Sequence, residues 1–298
     1  MQRLFTRRPP APTTFDIRPA TGTDRAGLTR VTERSRRSHF HLDWWSLDDW
    51  LGPTSSEGCF VATHKNQIAG VLVAPAQDAP FAWVRVLAVA DDYDANAVFD
   101  ALLPAALHSL RAAGVEALAC LAHPEWLESV LPRVGFTPFI DVTNFVKENR
   151  DIPDYGSPEV VVRPATSADL PAVLTTDRAA FDPIWWHSLG SLQRILRDVV
   201  HFVVAEVDGR IAGHAFSDLY GRQGHLVRLA VHPDFQGRGI GTRLLAESLE
   251  YLIARYSAWP LTLNTQTNNY ASQSLYRRFG YVPTGDSTAV MVRETGMM

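Results

Sequence analysis

The stretch VHPDFQGRGIGTRLL, from Val231 to Leu245, sets Gly237, Gly239 and Gly241 between a β-branched run and a leucine-rich helical pattern. Glycine lets backbone approach a partner closely. A helix N-terminus offers free N–H groups and the positive end of a dipole. Together they form a cradle for an anion, above all phosphate. The plainer alternative is a tight turn that holds no ligand. The run lacks the dinucleotide spacing G-x-G-x-x-G, and it lacks the lysine and Ser/Thr of a P-loop. Neither common nucleotide motif therefore fits.

The elements that must position this run are written twice along the chain. IRPATGTDRAGL from Ile17 matches VRPATSADLPAV from Val162, and HLDWWSL from His41 matches PIWWHSL from Pro183. CFVATHKNQIAG ending at Gly70 matches HFVVAEVDGRIAG ending at Gly213. VRVLAV ending at Val89 matches LVRLAV ending at Val231, and LPRVGFTP from Leu131 matches YRRFGYVP from Tyr276. Five matches in one order imply a duplicated domain, with a period too long for a solenoid, whose units run to ~20–50 residues. The expected division is a disordered tail over 1–14, one domain over 15–148, a polar Pro-containing linker over 149–158 and a second domain over 159–298.

Within the second copy, a strand at Val160–Arg163 leads to a helix from about Ala168, capped by Thr166 or Ser167. A short helix follows near Ser191–Asp198. Asp208-Gly209 joins two strands as a two-residue hairpin. HLVRLAV is a third strand. Ile240, Leu244, Leu245, Leu249, Leu252, Ile253 and Tyr256 recur at helical spacing. Pro260 opens another strand. Tyr270–Arg278 forms a short helix that Gly280 stops, and Ser287–Arg293 alternates as a last strand. The class is α+β, a mixed and mostly antiparallel sheet with helices on its faces.

The 298 residues suit two domains, and 46% hydrophobic with 20% charged residues is a globular composition. A net charge of -4 argues against a nucleic-acid binder. No apolar run reaches the length of a membrane span, and the N-terminus has no apolar signal core. Cys59 and Cys120 read as two buried thiols in a reducing cytoplasm.

QGRGIG, Gln236–Gly241, resembles the Q/R-x-x-G-x-G/A signature of the GNAT (Gcn5-related N-acetyltransferase) superfamily. NNYASQSLYRRFGY, Asn268–Tyr281, is similar to that family's N-x-x-A/S-x-x-L-Y-x-x-x-G-F pattern, with Tyr281 where Phe is commoner. The similarity covers nearly all of Val160–Glu294. It implies two tandem GNAT folds and an acetyl-CoA-dependent N-acetyltransferase, with the amine attacking directly in a ternary complex and no metal. Backbone of Leu229, Ala230 and Val231 would bond the pantetheine arm, and one N–H there would polarise the thioester carbonyl. Amides of Gln236, Gly237, Arg238, Gly239, Ile240, Gly241 and Thr242 would hold the pyrophosphate, with Arg238 and Arg243 adding charge. Asn269 would bond the pantetheine amide, and Ser272 falls in register beside it.

Tyr276 would protonate the leaving thiolate, since a phenol with pKa near ~10 keeps its proton at neutral pH. A base must also take the proton of an ammonium acceptor. Ribosomal-protein N-terminal acetyltransferases, which this half resembles at LTLNTQTNN, carry Glu where Asn264 stands, and asparagine is no base. His225 is the alternative, at a strand position similar to that of a histidine in arylalkylamine acetyltransferases. Glu206, Asp182 and His187 are lesser candidates.

The first copy fails the same test. Opposite QGRGIG stands DANAVF, so Asp94 replaces Gln236, Ala97 replaces Gly239 and Phe99 replaces Gly241. Pro124 stands opposite Asn269 and Leu131 opposite Tyr276. This copy is expected to keep the fold without binding CoA. Phe181, Trp185, Trp186 and His187, and their counterparts His39, His41, Trp44, Trp45 and Trp50, read either as an aromatic acceptor pocket or as duplicated core packing. The expected partner is a small amine or a peptide N-terminus, with no nucleic acid and no membrane. The chain is expected to be a cytoplasmic monomer whose two copies form a pseudo-dimer. A non-catalytic acyl-CoA sensor and a protein N-terminal acetyltransferase are the competing readings.

Overall fold

The computed structural model describes residues 14–42, 49, 51 and 58–296. The expected tail, but for Thr14, and Trp44, Trp45 and Trp50 lie outside the described residues. The chain divides into two compact units. One comprises Met1–Ala76, Pro80–Thr137 and Met291–Met298, and the other Gln77–Ala79 and Pro138–Val290.

The first unit holds β1 (Asp16–Pro19), α1 (Arg25–Arg34), β2 (Arg37–Phe40), β3 (Cys59–His64), β4 (Gln67–Val73), β5 (Phe81–Trp83) and β6 (Val86–Val89). Then come α2 (Ala95–Ala112), β7 (Ala117–Leu121) and α3 (Trp126–Arg133). Five strands pair antiparallel in the order β1-β3-β4-β6-β2, and β5 pairs in parallel with β7. Helix α1 closes one face by burying Leu28 and Val31 on Val61, Val71 and Val86. Helix α2 buries Val98, Phe99, Leu102, Leu103, Ala106 and Leu110, a helical spacing of apolar side chains.

The second unit begins with β8 (Thr137–Lys147), apart from its first residue, followed by β9 (Val161–Pro164), α4 (Leu170–Ala180), α5 (Leu189–Asp198) and β10 (His201–Val207). Next are β11 (Arg210–Tyr220), β12 (Gln223–Val231), α6 (Ile240–Tyr256), β13 (Leu261–Gln266), α7 (Tyr270–Arg278) and β14 (Val282–Glu294), the last as far as Val290. The strands lie in the order β14-β8-β13-β12-β11-β10-β9. Antiparallel pairing prevails from β11 to β9 and between β13 and β8, whereas β12 and β13 run parallel.

Local chemistry repeats in both units. Thr21 with Asp24, and Thr166 with Asp169, form capping boxes at matching helix starts. Arg18 grips Asp24 at 2.7 Å and Arg163 grips Asp169 at 2.8 Å. Asp208 and Gly209 both adopt positive φ, 51° and 72°, as a two-residue hairpin requires. Cys59 and Cys120 are buried free thiols.

Two features depart from the repeat pattern. First, the units exchange chain at their ends. Strand β8, which ends the first repeat, pairs with β13 from Leu261↔Lys147 to Gln266↔Val142. The chain from Met291 belongs to the first unit, where Thr295 donates to the carbonyl of Val115 at 2.7 Å. The compact units therefore cross the division at 148. Second, Tyr256 completes the apolar periodicity of α6 but is 42% exposed, because it lies in the last turn and packs edge-on against Tyr251. Among the described residues no helix is long and apolar enough to cross a membrane.

Candidate active site

The site of the second unit starts from a break in its sheet. Strands β12 and β13 pair only at Gly224↔Leu261, His225↔Thr262 and Leu226↔Leu263. Both continue further, so beyond Leu226 and Leu263 they part. A bulge adds to the divergence: Phe216 faces Arg228 and Ser217 faces Leu226, leaving Val227 without a partner on β11. A bulge bends a strand and re-aims its side chains. The opened strands form a cleft lined by Leu226–Leu229 on one wall and Asn264–Gln266 on the other. Val142 of β8 also lines it, as do Phe181 and Trp185 from the segment after α4.

The glycine run lies beyond the end of β12. Pro233–Phe235 make one 3-10 turn, and the Gln236 side chain donates back to the Val231 carbonyl at 3.3 Å. Gly237 and Gly239 take φ of 75° and 77°, a region costly for other residues. Gly239 is the N-cap of α6, and no side chain of the described residues caps that end. The first-turn amides of Ile240, Gly241 and Thr242 thus keep the free donors that an anion would take. Gly241 does a different job. A Cβ there would touch Leu275, Leu229 and Val231 at 3.5–3.7 Å, so its bare Cα keeps the space between α6, α7 and β12 open. Thr242 is buried and accepts from Arg278 at 2.6 Å, which ties the start of α6 to the end of α7. Arg243 is paired with Glu247 at 3.3 Å, and Arg238 lies over the Phe235 ring at 5.3 Å.

Helix α7 brings the phenol to the cleft. Asn269 is its N-cap: the side-chain oxygen accepts from the Ser272 N–H at 3.2 Å, and the side-chain nitrogen donates to the Gln266 side-chain oxygen at 3.5 Å. The second N–H of that amide is therefore the part left to meet a ligand. Asn269, Ser272 and Tyr276 all line the cleft. Tyr276 is buried between Phe145 of β8 and Tyr281, with ring centroids 6.3 and 6.1 Å away. Burial pushes its phenol up to about 12, against a smaller opposite pull from the Ser272 hydroxyl.

His225 stands elsewhere. It lies at the paired base of the two strands, with Nδ1 2.8 Å from the Thr262 hydroxyl, and it is not among the cleft-lining residues. Burial lowers its pKa to about 4, with Asp218 pulling weakly upward. It is a neutral imidazole at neutral pH. Asn264 is exposed on the cleft wall. Glu206 is committed to Arg163 at 2.6 Å. Trp185 is half-buried in the cleft wall, while Trp186 donates to the Phe181 carbonyl at 2.7 Å and lies under Arg178.

The structure also assembles residues that sequence reasoning missed. Arg228 lines the cleft and holds buried Asp177 of α4 with two bonds of 2.8 and 2.7 Å. Burial alone would raise the Asp177 carboxyl, but the Arg228 charge and His214, 3.3 Å away, hold it well below the usual carboxylate range. The only sequence signal was a charge inside the apolar strand HLVRLAV. Lys147 of β8 is buried, and its Nζ donates to the Phe279 carbonyl at 2.6 Å and to the Asn149 side chain.

In the first unit the matching groups close the equivalent places. Asp94 caps α2 by accepting from the Ala97 N–H at 2.9 Å. Phe99 and Leu131 are fully buried.

A splayed parallel pair, an uncapped glycine-rich helix start and a buried phenol occur together here, as the resemblance to GNAT acyltransferases implies. The comparisons agree. Residues 170–281 match the Acetyltransferase (GNAT) family. An uncharacterized N-acetyltransferase of Methanocaldococcus jannaschii is 32% identical over 122 residues, which cover 41% of this chain and 78% of that protein. A tandem GNAT protein from the clavulanic acid biosynthesis pathway shares the fold with a TM-score of 0.66 at 15% identity, covering 96% of this chain and 100% of that one. A GCN5-related N-acetyltransferase from Sphaerobacter thermophilus shares it with a TM-score of 0.63 at 14% identity, covering 94% and 96%. The chain belongs to the GNAT family and is an acetyltransferase, and its fold is shared with a tandem GNAT protein.

Proposed function

We propose that the second unit takes acetyl-CoA as its acetyl donor and an amine as acceptor, both held at once in the cleft between β12 and β13. The observation that carries this reading is the meeting of three features there: strand edges freed by the splay, the open α6 N-terminus and the Tyr276 phenol. Acetyl-CoA, when bound, supplies an acetyl group activated as a thioester. The chain does the rest. Backbone of Leu229–Val231 aligns the pantetheine arm as an added strand and offers an N–H to the carbonyl oxygen. Amides from Gly237 to Thr242 hold the pyrophosphate, the Gln236 amide being bonded to the Pro233 carbonyl at 3.2 Å. Asn269 offers the second N–H of its amide to the arm. Tyr276 keeps its proton at neutral pH and gives it to the departing thiolate.

We assign one acetyl-CoA to each chain. The Asp94 carboxylate occupies the Ala97 amide at the helix start of the first unit, and its charge repels a phosphate. Calorimetric titration with acetyl-CoA, joined to thiol release with a panel of amines, tests the reading. One site per chain and amine-dependent thiol release are expected. No binding overturns the reading, and two sites per chain overturn the assignment to one unit.

A further inference from the structure

The acceptor wall of the cleft presents one arginine whose geometry bears on which amines fit. An arginine has five N–H donors in a planar fork. In Arg228, Nε donates to Asp177 at 2.8 Å, and Nη2 donates to Asp177 at 2.7 Å and to the Trp185 carbonyl at 2.8 Å. Three donors are thereby used. The central carbon of the guanidinium also lies over the Phe181 ring, 3.6 Å from its centroid. Asp177 is fully buried, and the Arg228 side chain is only 10% exposed. The plane is thus fixed from two sides, and the two donors of Nη1 have no protein partner among the described residues. The residue lines the cleft, next in the chain to Leu229, and Asn264 and Gln266 line the same cleft from β13.

We propose that Arg228 sets acceptor specificity, and that the acceptor carries a carboxylate or carbonyl oxygen close to its amino nitrogen. This rests on the reading that the cleft is the acetyl-transfer site. Asp177 offsets the arginine charge, so what Arg228 has left to offer a ligand is the pair of Nη1 donors, not a bare cation. Such donors suit either an α-carboxylate or the first carbonyl of a peptide. A plain alkylamine offers them nothing, and a donor left unpaired when substrate displaces water is costly. Sites built to bond a polar group reject analogues that lack it far more strongly than apolar pockets sort by size.

The test measures kcat/KM of the full chain with acetyl-CoA for four acceptors: a free α-amino acid, its carboxamide, a tripeptide with the same first residue and a straight-chain alkylamine of similar size. An advantage of at least about 100-fold for an α-amino carbonyl acceptor over the alkylamine is expected. A free-acid preference identifies the carboxylate as the bound group, and a preference for the carboxamide and tripeptide identifies the carbonyl. Arg228→Lys, and the double variant Arg228→Met with Asp177→Asn that leaves no lone buried carboxylate, should lose most of that advantage with acetyl-CoA affinity unchanged. Equal use of the alkylamine, or selectivity that survives in either folded variant, overturns the proposal. Acetyl-CoA titration of the same samples separates the two readings. Binding with an unselective cleft overturns the Arg228 assignment alone, and no binding overturns the parent reading and this one with it.

Discussion

Lys147 reaches from β8 to the carbonyl of Phe279, 2.6 Å away, and so closes the C-terminus of the helix that carries Tyr276. A cation there meets the negative end of the helix dipole. The carbonyl lies three residues beyond Tyr276, just before Gly280 turns the chain with φ of 83°. By sequence Lys147 belongs to the first repeat, yet it works in the second unit. Lys147→Met should leave the buried carbonyl without its charged donor and lower stability by about 1–3 kcal/mol. It should also loosen the placement of the phenol, with kcat down about tenfold, since small misplacement of a catalytic group is costly. Acetyl-CoA affinity should stay within about twofold, because the cradle lies at the start of α6. Denaturant titration and steady-state kinetics on the same preparation check the three numbers.

The two copies of the strand-to-helix junction make opposite use of the same backbone. Asp94 caps α2 by taking the Ala97 amide, whereas Gly239 has no side chain to cap α6. Phe99 fills the first unit where Gly241 keeps space in the second. Gly241→Phe should therefore copy the closed state. Its Cβ fits at 3.5 Å or more from its neighbours, but the ring must lodge between Leu275 and Leu229. Acetyl-CoA affinity should fall at least about 100-fold, or ~2.7 kcal/mol, with the far-ultraviolet circular dichroism unchanged. Wild-type affinity in a folded Gly241→Phe protein would remove this junction from the binding site.

How much of this is legible in the sequence depends on sequence distance. Gly237, Gly239 and Gly241 sit in one local motif, as do Asn269 and Tyr276, and local spacing fixes which of them share a helix end or face. The duplication was legible for the same reason, since each repeat writes its own caps, turns and apolar periodicity. Arg228 and Asp177 are 51 positions apart, and Lys147 and Phe279 are 132 apart. Periodicity says that a residue faces inward but not which charge it meets there. The strand exchange escaped for a related reason. A strand with the pattern of β8 can hydrogen-bond to the edge of either copy's sheet, and the choice is made by tertiary packing. His225 lies in the stretch where β12 and β13 are still paired, and strand position alone does not tell where along the strand the cleft begins.

Acid should destabilise the fold in two stages. Burial holds His201 and His225 at about 4, below the unfolded histidine value of about 6.5. A depressed pKa means that the unfolded chain binds the proton more tightly. The stability these groups contribute is present above pH ~6.5 and is lost as pH falls toward ~4. Asp177 follows with the same sign. Its carboxyl is also depressed, so its contribution goes only below the unfolded aspartate value of ~3.9. Thermal unfolding should show a plateau in Tm near neutral pH and a decline from about pH 6.5. In the double variant His201→Phe, His225→Gln the decline between pH 6.5 and 4 should flatten. An unchanged slope in that variant would assign the loss to other groups.

Tyr276 offers the sharpest separation of binding from chemistry. Its phenol is buried, lines the cleft and is raised to about 12. Tyr276→Phe keeps the ring between Phe145 and Tyr281 and removes only the proton that the thiolate needs. The fold and acetyl-CoA affinity should be retained, while kcat falls about 100-fold or more, the range of general-acid catalysis. The raised pKa also fixes the pH response. The folded protein holds this proton more tightly than the unfolded chain, so the stability it contributes is complete below pH ~10 and is lost as pH rises through about 12. Across pH 6–9 the phenol stays protonated, and no falling limb in kcat should come from it. A falling limb near pH 8 that vanished in Tyr276→Phe would show a far more acidic phenol than burial allows. Full activity in that variant would move the proton-donating role to another group.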